Sequence, residues 1–531
     1  MRLPRSSGVL LHPTSLPGEF GIGDLGKSAR DFVHFLHKTG QRWWQILPVG
    51  PTGYGNSPYQ SHSSFAGNSL LISPVGLVEQ RWIRPKDFPP DPGFQIDTVE
   101  FDLVREFKEA LLRQAFSAFT RRGLGYETFL HTNAWWLDDY TLFMALKKEH
   151  GGIAWYDWDP ALVTRKSSAL KKARARLSEE IDYHRFVQYV FDLQWKELHS
   201  ACEAMKIELI GDLPIFVALD SADVWSRPDL FYLDKKGRAS VVAGVPPDYF
   251  SETGQLWGNP LYRWDVHKLE SYRWWVDRLK ALLQRVRLVR IDHFRGFAAY
   301  WEVPANSETA ATGRWMPGPG ADFFHEVGRQ LGGLPLIAED LGLITADVEE
   351  LREQFHLPGM RVLQFAFGPD PGSEKYLPHR YDPNSVVYTG THDNDTTLGW
   401  YTSTDIETTQ TVYEVRAERD FARRYVGTSG KSMNWDLIRL AMASVADTAI
   451  IPLQDILGLG SEARMNVPGR AEGNWGWRYR KARLDAKAHE RLADLTAVYS
   501  RWNGPIPAIV DPRHRPAKAL EPSPMLATHA T

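Results

Sequence analysis

The sequence predicts an α/β fold, a closed (β/α)8 TIM barrel that carries inserted, mostly helical and loop subdomains on its catalytic face and has no C-terminal β domain. Two observations lead to this prediction. Strand-like runs rich in Val, Ile and Leu alternate with amphipathic helical stretches, which favours a parallel sheet. The strand-like runs number about eight, and closing eight parallel strands into a barrel removes both exposed sheet edges.

The strand-like runs can be taken in chain order. They are GVLLHP, RWWQILPVGP, KIELIGDLPIFV, VRLVRIDHF, LPLIAED, MRVLQFAF, NSVVYTGTHDND and TAIIPLQDILG, and most end in a polar or aromatic cluster. Helical candidates between them include SARDFVHFLHKTG, SYRWWVDRLKALLQRV, DFFHEVGRQLG and DVEELREQFHLPG. We therefore expect one catalytic barrel over residues 1–505.

Two long intervals interrupt the repeat and are expected to be insertions on the catalytic face. Residues 55–180 begin loop-rich and continue into helical segments, which predicts a loop and helical subdomain. Residues 219–270 are rich in Pro, Gly, Trp and Tyr and are interpreted as an active-site loop over the barrel mouth. The stretch 515–531 has too few apolar residues to pack and is expected to be a flexible tail.

Composition limits the classes of partner. The formal charge of the 531-residue chain is −3, which lacks the basic excess typical of nucleic-acid or membrane binding. The single cysteine, Cys202, cannot form an internal disulfide or a thiolate metal cluster, and this fits a reducing compartment. With no secretory leader and no long apolar segment found, the sequence predicts a cytoplasmic protein that acts on a neutral or small ligand.

Three acidic residues follow three separate strand-like runs. They are Asp292 in RLVRIDHFRGF, Glu339 in LPLIAEDLG and Asp393 in SVVYTGTHDND. Because parallel barrel strands end at one shared mouth, their last side chains converge there. Each acid alone could be a salt-bridged residue at a strand end, but three together indicate glycosidic chemistry, in which a nucleophile and an acid lie roughly 5–5.5 Å apart.

The sequence also assigns roles within this trio. Asp292 and Glu339 follow the fourth and fifth strands, which lie about 4.8 Å apart. Arg290 shares a strand face with Asp292 and is expected to hold it ionised as the nucleophile. Glu339, without a cation in its own run, is then the proton-carrying acid, and Asp393 binds ring hydroxyls and stabilises positive charge on the sugar.

Two histidines accompany the acids, His293 after Asp292 and His392 before Asp393. Their imidazoles suit sugar hydroxyls, although ordinary hydrogen-bonded histidines or a zinc or manganese site are alternatives. A metal is disfavoured because the first strand has no His-x-His pair and Arg290 would put positive charge beside the cation.

Aromatic residues in predicted loops are candidates for stacking on sugar rings. Of 20 Trp and 20 Tyr, we choose Tyr54 and Tyr59 in PTGYGNSPYQ and Trp257 in GQLWGNP. Four other tryptophans are expected only to pack in the core: Trp43, Trp44, Trp274 and Trp275.

Eight segments together resemble the amylomaltases, the 4-alpha-glucanotransferases of glycoside hydrolase family 77, which are related to the alpha-amylase clan. They are GVLLHPTSLPG, WWQILPVGPTGYGNSPYQ, GDLPIFVALDSADVW, FSETGQLWGNPLY, RIDHFRG, IAEDLG, THDNDT and MNVPG. The resemblance runs through most of the chain, and the combination is far more specific than any one acidic motif.

The resemblance implies retaining disproportionation of alpha-1,4-glucans such as maltooligosaccharides and amylose. Asp292 would attack the anomeric carbon, Glu339 would act as acid and then base, and Asp393 would assist. It implies a donor site lined by Arg290, His293, His392, Asp212, Tyr59 and Asn466. It further implies that Trp257 belongs to a loop favouring glucan over water, that Tyr54 marks a secondary glucan groove, and that no cofactor is needed.

Two other functions compete with this interpretation. A hydrolase of the alpha-amylase type could use the same acids, because water can release a glycosyl-enzyme as a sugar can. A non-catalytic glucan-binding protein is disfavoured, since binding does not require a nucleophile. We expect a monomer or weak homo-oligomer that binds neither nucleic acid nor membranes.

Overall fold

A computed structural model describes residues 2–120, 124–247, 253–342, 344–370, 372–403, 411–508 and 510–511, and it contains a closed barrel of eight parallel strands. Twelve strands are formed in these ranges: β1 Ser6–Leu10, β2 Trp43–Gln45, β3 Glu208–Leu213, β4 Val241–Val245, β5 Gln255–Pro260, β6 Leu288–Ile291, β7 Ala299–Pro304, β8 Arg314–Pro317, β9 Leu336–Ala338, β10 Gly359–Val362, β11 Ser385–Tyr388 and β12 Thr448–Pro452. The barrel order is β1-β2-β3-β6-β9-β10-β11-β12, closing on β1. The predicted fold class is confirmed, since each of the eight strand-like runs supplies one barrel strand.

Helices connect the barrel strands and form the inserted regions. They are α1 Lys27–Lys38, α2 Pro74–Glu79, α3 Phe101–Ala118, α4 Leu124–Glu149, α5 Pro160–Val163, α6 Ser167–Arg176, α7 Ser178–Ala204, α8 Ala222–Ser226, α9 Trp264–Leu269, α10 Arg273–Leu283, α11 Gly320–Leu331, α12 Ala346–Gln354, α13 Thr397–Thr402, α14 Val412–Val426, α15 Met433–Ala443, α16 Leu453–Leu457 and α17 Ala486–Val498. No strand follows β12 among residues 453–508 and 510–511.

Alternation along the strands separates two layers of the core. One layer fills the barrel with a cluster from all eight strands that includes Ile210, Leu288, Ile337, Val386 and Ile450. Residues one position away pack outward against the helices in a second cluster. Because side chains two apart on a strand share a face, the inward row of three strands continues to polar residues at the mouth.

A second, antiparallel sheet of order β5-β4-β7-β8 stands beside the barrel. It corrects the interpretation of residues 219–270 as a loop, since that stretch contributes β4 and β5 together with α8 and α9. Strand β4 pairs with β5 inside the stretch and with β7, Ala299–Pro304, beyond it, and local composition could not reveal the pairing with β7.

The other domain limits stay predictions. Residues 55–180 contain α2 to α6, the start of α7 and loop segments. The predicted tail at 515–531 lies outside the described residues. Within the described ranges, no helix combines the length and apolar character needed to cross a membrane.

The four tryptophans expected to pack in the core do so. Trp43, Trp44, Trp274 and Trp275 are at most 6% exposed. Cys202 is also buried.

Candidate active site

Three inward rows of the barrel end in charged side chains at one mouth. Ile210, Leu288 and Ile337 belong to the barrel interior. Ile210 leads to Asp212 on β3, Leu288 leads to Arg290 on β6 and then to Asp292 just after it, and Ile337 leads to Glu339 just after β9. These rows explain why the sequence brings charge to this point, since each charged residue continues the face of an apolar one.

The strand register sets Asp292 opposite Glu339. Ile291 pairs with Ala338, and each acid is the next residue on its strand. The ladder continues past the strand ends, because Asp292 N donates to Leu213 O at 3.0 Å and Glu339 N donates to Ile291 O at 3.1 Å. Partners on neighbouring strands lie about 4.8 Å apart, so the two carboxyl groups share one part of the mouth.

Arg290 joins Asp292 to Asp212. Its Nη1 donates to both Asp212 oxygens at 2.8 and 2.9 Å, and its Nη2 lies 3.0 Å from Asp292 Oδ1. Tyr59 Oη donates to Asp212 Oδ2 at 2.6 Å. The Arg290 and Asp212 side chains are 4% and 0% exposed, so the guanidinium is fixed by a buried pair before it reaches Asp292.

The pKa of Asp292 is raised to about 6. Removal from water is the largest cause, although 28% of the side chain still faces the mouth; Arg290 lowers the pKa, and Asp212 and Asp393 raise it. The predicted ion pair with Arg290 is present, but burial outweighs it. Asp292 is therefore ionised above about pH 6.

Glu339 is held by two backbone N–H groups. His293 N donates to its Oε2 at 2.6 Å, and Leu341 N donates to its Oε1 at 3.0 Å. His293 adopts the left-handed conformation, with φ 48°, an uncommon backbone state that costs about 1–3 kcal/mol and here presents its N–H to the acid.

The pKa of Glu339 is raised to about 8. Burial is the largest cause, the charge of Asp292 adds to it, and Arg290 and the two N–H groups act against it. Arg290 therefore influences both acids, whereas the sequence suggested an effect on Asp292 alone. Between about pH 6 and about pH 8, Asp292 is ionised while Glu339 keeps its proton.

Asp393 lies in the loop after β11 and has its own partners. Asn466 Nδ2 donates to Asp393 Oδ1 at 2.7 Å, and His392 Nε2 lies 3.3 Å from Asp393 Oδ2. Arg464 ties the two loops together, donating to Asp393 O and to Asn466 O at 2.9 Å each. Burial lowers the pKa of His392, so its ring is neutral near pH 7.

Aromatic rings border both sides of the mouth. Tyr59 stacks on His392 with ring centroids 5.2 Å apart, and Trp475 lies 5.8 Å from Tyr59. On the other side, Trp257 meets His293 edge-on at 4.8 Å. Burial also lowers the pKa of His293, to about 4, so this ring too stays neutral.

Of the sequence-predicted residues, Tyr54 stands apart from this network. It lies on an exposed turn, and its side chain is 79% exposed. The structure brings the remaining ten together: Asp292, Glu339, Asp393, Tyr59, Asp212, Trp257, Arg290, His293, His392 and Asn466.

Two further residues were missed from the sequence. Arg464 lies two positions before Asn466 and could have been found by its place in RMNVPG. Trp475 lies in GNWGWRY, where glycines around an aromatic residue indicate a loop. Its backbone is left-handed, with φ of 66°, and no sequence pattern predicts this conformation for a tryptophan.

The arrangement suits transfer at an acetal carbon. It offers one ionised carboxylate, one protonated carboxyl opposite it, and a third acid with neutral histidines that can bind hydroxyls. No other protein group is needed to supply a nucleophile and a proton.

Comparisons with known proteins agree with this chemistry. The family model described as Glyco_hydro_77, 4-alpha-glucanotransferase, matches residues 11–484. A 4-alpha-glucanotransferase of Thermus thermophilus is 50% identical over 515 residues, covering 94% of this chain and 100% of the relative, and one of Synechocystis is 48% identical, covering 94% and 98%. The solved amylomaltase of Streptococcus agalactiae in complex with acarbose superposes with a TM-score of 0.89 at 38% identity, covering 94% of this chain and 100% of the other.

Proposed function

The chain belongs to the 4-alpha-glucanotransferases of glycoside hydrolase family 77, and we propose that it transfers α-1,4-glucan segments between maltooligosaccharides or amylose by retaining double displacement. The observation that carries this mechanism is the register that sets Asp292 opposite Glu339, with Arg290 bridging Asp212 and Asp292. It supports a nucleophile and an acid at the spacing of retaining enzymes.

In the first half-reaction, an Asp292 oxygen attacks the anomeric carbon of the donor glucan. Arg290 already engages Oδ1, so Oδ2 is the attacking oxygen. The glycosidic bond breaks as Glu339 gives its proton to the departing oxygen, and a covalent glucosyl-enzyme forms. The raised pKa of Glu339 supports this role, since the acid still carries a proton at neutral pH.

In the second half-reaction, Glu339 takes the proton from an acceptor hydroxyl, usually a 4-OH. The acceptor oxygen attacks the same carbon, and the ester bond to Asp292 breaks. Two inversions retain the α configuration. Asp393, oriented by Asn466, binds ring hydroxyls and stabilises the positive charge that develops on the sugar in both steps.

The remaining residues bind and position the sugar. Tyr59, Asp212, Arg290, His293, His392 and Asn466 line the donor site, and Trp257 shields the acceptor side. Tyr54, exposed and outside the network, marks a secondary glucan groove. No cofactor takes part in the proposed steps.

Transfer is favoured over hydrolysis by the aromatic ring of Trp257 against His293, because a dry acceptor site disfavours water. Incubation with maltotriose, resolved by chromatography, tests this. Transfer gives glucose and glucans longer than the substrate with little change in total reducing ends. Products of three glucose units or fewer with rising reducing ends would identify a hydrolase, and unchanged maltotriose would identify a binding protein.

We also propose a cytoplasmic location and a monomeric or weakly associating chain. The single cysteine, Cys202, is a buried free thiol whose pKa is raised by burial. The fold therefore does not depend on a disulfide bond, and a reducing compartment suits it. Size-exclusion chromatography with light scattering over a range of concentrations tests the oligomeric state; a stable larger assembly would contradict it.

A further inference from the structure

A tryptophan on the small sheet lies exposed beside the catalytic turn. Trp315 is on the edge strand β8, directly opposite Trp301 on β7, and 39% of it is exposed. Residues on the opposite face of these strands, such as Tyr300, pack against the main core. Trp315 therefore points away from the core, on the outer face of the sheet.

Two neighbours hold the Trp315 ring in place. The guanidinium of Arg295 lies 4.0 Å from the ring centroid, and Trp301 meets the ring edge-on at 5.1 Å and 69°. Trp301 is itself fixed, because its Nε1 donates to Ala310 O at 2.8 Å. An exposed ring held this way needs little further ordering to bind a flat apolar surface.

The ring is also tied to the active site. Arg295 lies three residues after Asp292, in the turn whose His293 N–H binds Glu339. Just after β8, Gly318 N donates to Ala298 O at 2.8 Å, and a side chain at Gly318 would come within 2.3 Å of Phe297 O. The strand carrying Trp315 is thus packed directly on the catalytic turn.

We propose that Trp315 is a stacking platform for α-1,4-glucan chains that extend beyond the catalytic mouth, an inference that rests on the proposed function. The faces of glucose rings are apolar and their edges are polar, and a preorganised tryptophan binds such a surface while the hydroxyls stay in water. On this proposal, a short substrate bound at the mouth makes no contact with Trp315, whereas amylose and amylopectin are long enough to do so.

A purely structural role for Trp315 makes a different prediction. Its contacts with Arg295 and Trp301 would stabilise the hairpin, and its loss would affect short and long substrates alike. Trp135 on α4 provides a matched control, since it is also a tryptophan with one edge-on aromatic partner, Phe65, and is more exposed at 53%.

The experiment compares wild type with Trp315→Ala, Trp315→Phe and Trp135→Ala. Native electrophoresis through gels containing amylopectin measures binding, and initial rates on maltotriose and amylose measure turnover. We expect Trp315→Ala to weaken amylopectin binding and to raise the KM for amylose about 10-fold, the upper range of one aromatic stacking contact. Trp315→Phe should retain part of the amylopectin binding. The rate of Trp315→Ala on maltotriose should equal that of wild type, and Trp135→Ala should match wild type in both binding and turnover.

The proposal is overturned if Trp315→Ala is retarded like wild type, if it loses maltotriose and amylose activity in parallel, or if Trp135→Ala loses as much binding. Asp292→Ala separates this test from the proposed function. It should lose transfer and still bind amylopectin through Trp315, so failure of the catalytic assignment would appear in its activity and failure of the platform in the gel.

Discussion

Replacement of Glu339 by Gln tests the assignment of acid and nucleophile through the pH profile. In the wild-type enzyme, kcat/KM should rise as Asp292 loses its proton near pH 6 and fall as Glu339 loses its proton near pH 8. The amide of the Glu339→Gln variant cannot titrate, so the basic limb should disappear. The acid limb should stay, because Glu339 is already neutral while Asp292 titrates.

Two magnitudes follow from the structure. Loss of a general acid lowers the rate on a natural glucan by about 10²–10⁴-fold, or about 3–5 kcal/mol of activation free energy. Folding loses less. The two carboxyl oxygens of Glu339 accept N–H groups from His293 and Leu341, and an amide has one oxygen for these two donors, so one hydrogen bond of about 1 kcal/mol is lost.

The assay is initial-rate disproportionation of maltotriose from about pH 5 to about pH 9.5, repeated with an α-maltosyl fluoride donor. Fluoride departs without a proton, so the first half-reaction of Glu339→Gln should recover with this donor. Asp340→Asn is the matched control, because Asp340 is the next residue but accepts from Met360 N at 2.6 Å and pairs with Arg361. It should lower stability and keep both limbs.

A basic limb that survives in Glu339→Gln would show that Glu339 is not the general acid, since another group would then carry the proton. So would an equal loss of rate with the natural and the fluoride donor. Loss of the basic limb in Asp340→Asn would show that the limb reports local packing rather than the acid.

Four further outcomes are expected. Asp292→Ala should show no transfer with circular dichroism and unfolding temperature preserved, and near-normal turnover would end its assignment as nucleophile. Asp212→Asn should lower the free energy of unfolding by about 3–5 kcal/mol, because Arg290 is left buried with a partner lost; it should also move the acid limb to lower pH, since Asp212 raises the pKa of Asp292. Urea unfolding and the pH profile measure these two effects, and an unchanged midpoint would contradict the first. Trp257→Ala should raise the share of hydrolysis, read as new reducing ends per transfer, whereas an unchanged ratio would remove Trp257 from the acceptor site. Dialysis against EDTA should leave activity unchanged, and a loss restored by one divalent ion would disprove a metal-free reaction.

The barrel could be predicted from the sequence because each strand carries its own signal. VRLVRIDHF shows an apolar run, a period of two and a charged end, and those features suffice to set Arg290 and Asp292 on one face. The order of strands then made Asp292 and Glu339 neighbours. Local pattern and chain order were therefore enough to predict that Arg290, Asp292 and Glu339 lie together.

The small sheet could not be predicted in the same way. Val241–Val245 and Gln255–Pro260 are short, and β7, which pairs with the first of these two strands, lies about 60 residues further along the chain. Pairing at that distance depends on how the barrel folds, which local composition does not encode. The same holds for Trp475, whose position beside Tyr59 comes from a loop after the last strand.

The pKa values needed the structure for a related reason. The sequence shows Arg290 near Asp292 and predicts an ionised carboxylate, but not that burial outweighs the cation. It also hides that Arg290 acts on Glu339 from the neighbouring strand. Desolvation depends on the whole surroundings of a group, whereas a motif reports only its chain neighbours.

In the proposed mechanism, Asp292 bonds covalently to the sugar while Glu339 carries the proton. The most direct measurement is mass spectrometry of Glu339→Gln after incubation with an α-maltosyl fluoride, conditions in which the glycosyl-enzyme forms and its release lacks a base. We predict a protein heavier by one maltosyl group, with the added mass on the peptide containing Asp292. An unmodified protein that has turned over the donor, or a label on any other residue, would show that Asp292 is not the nucleophile.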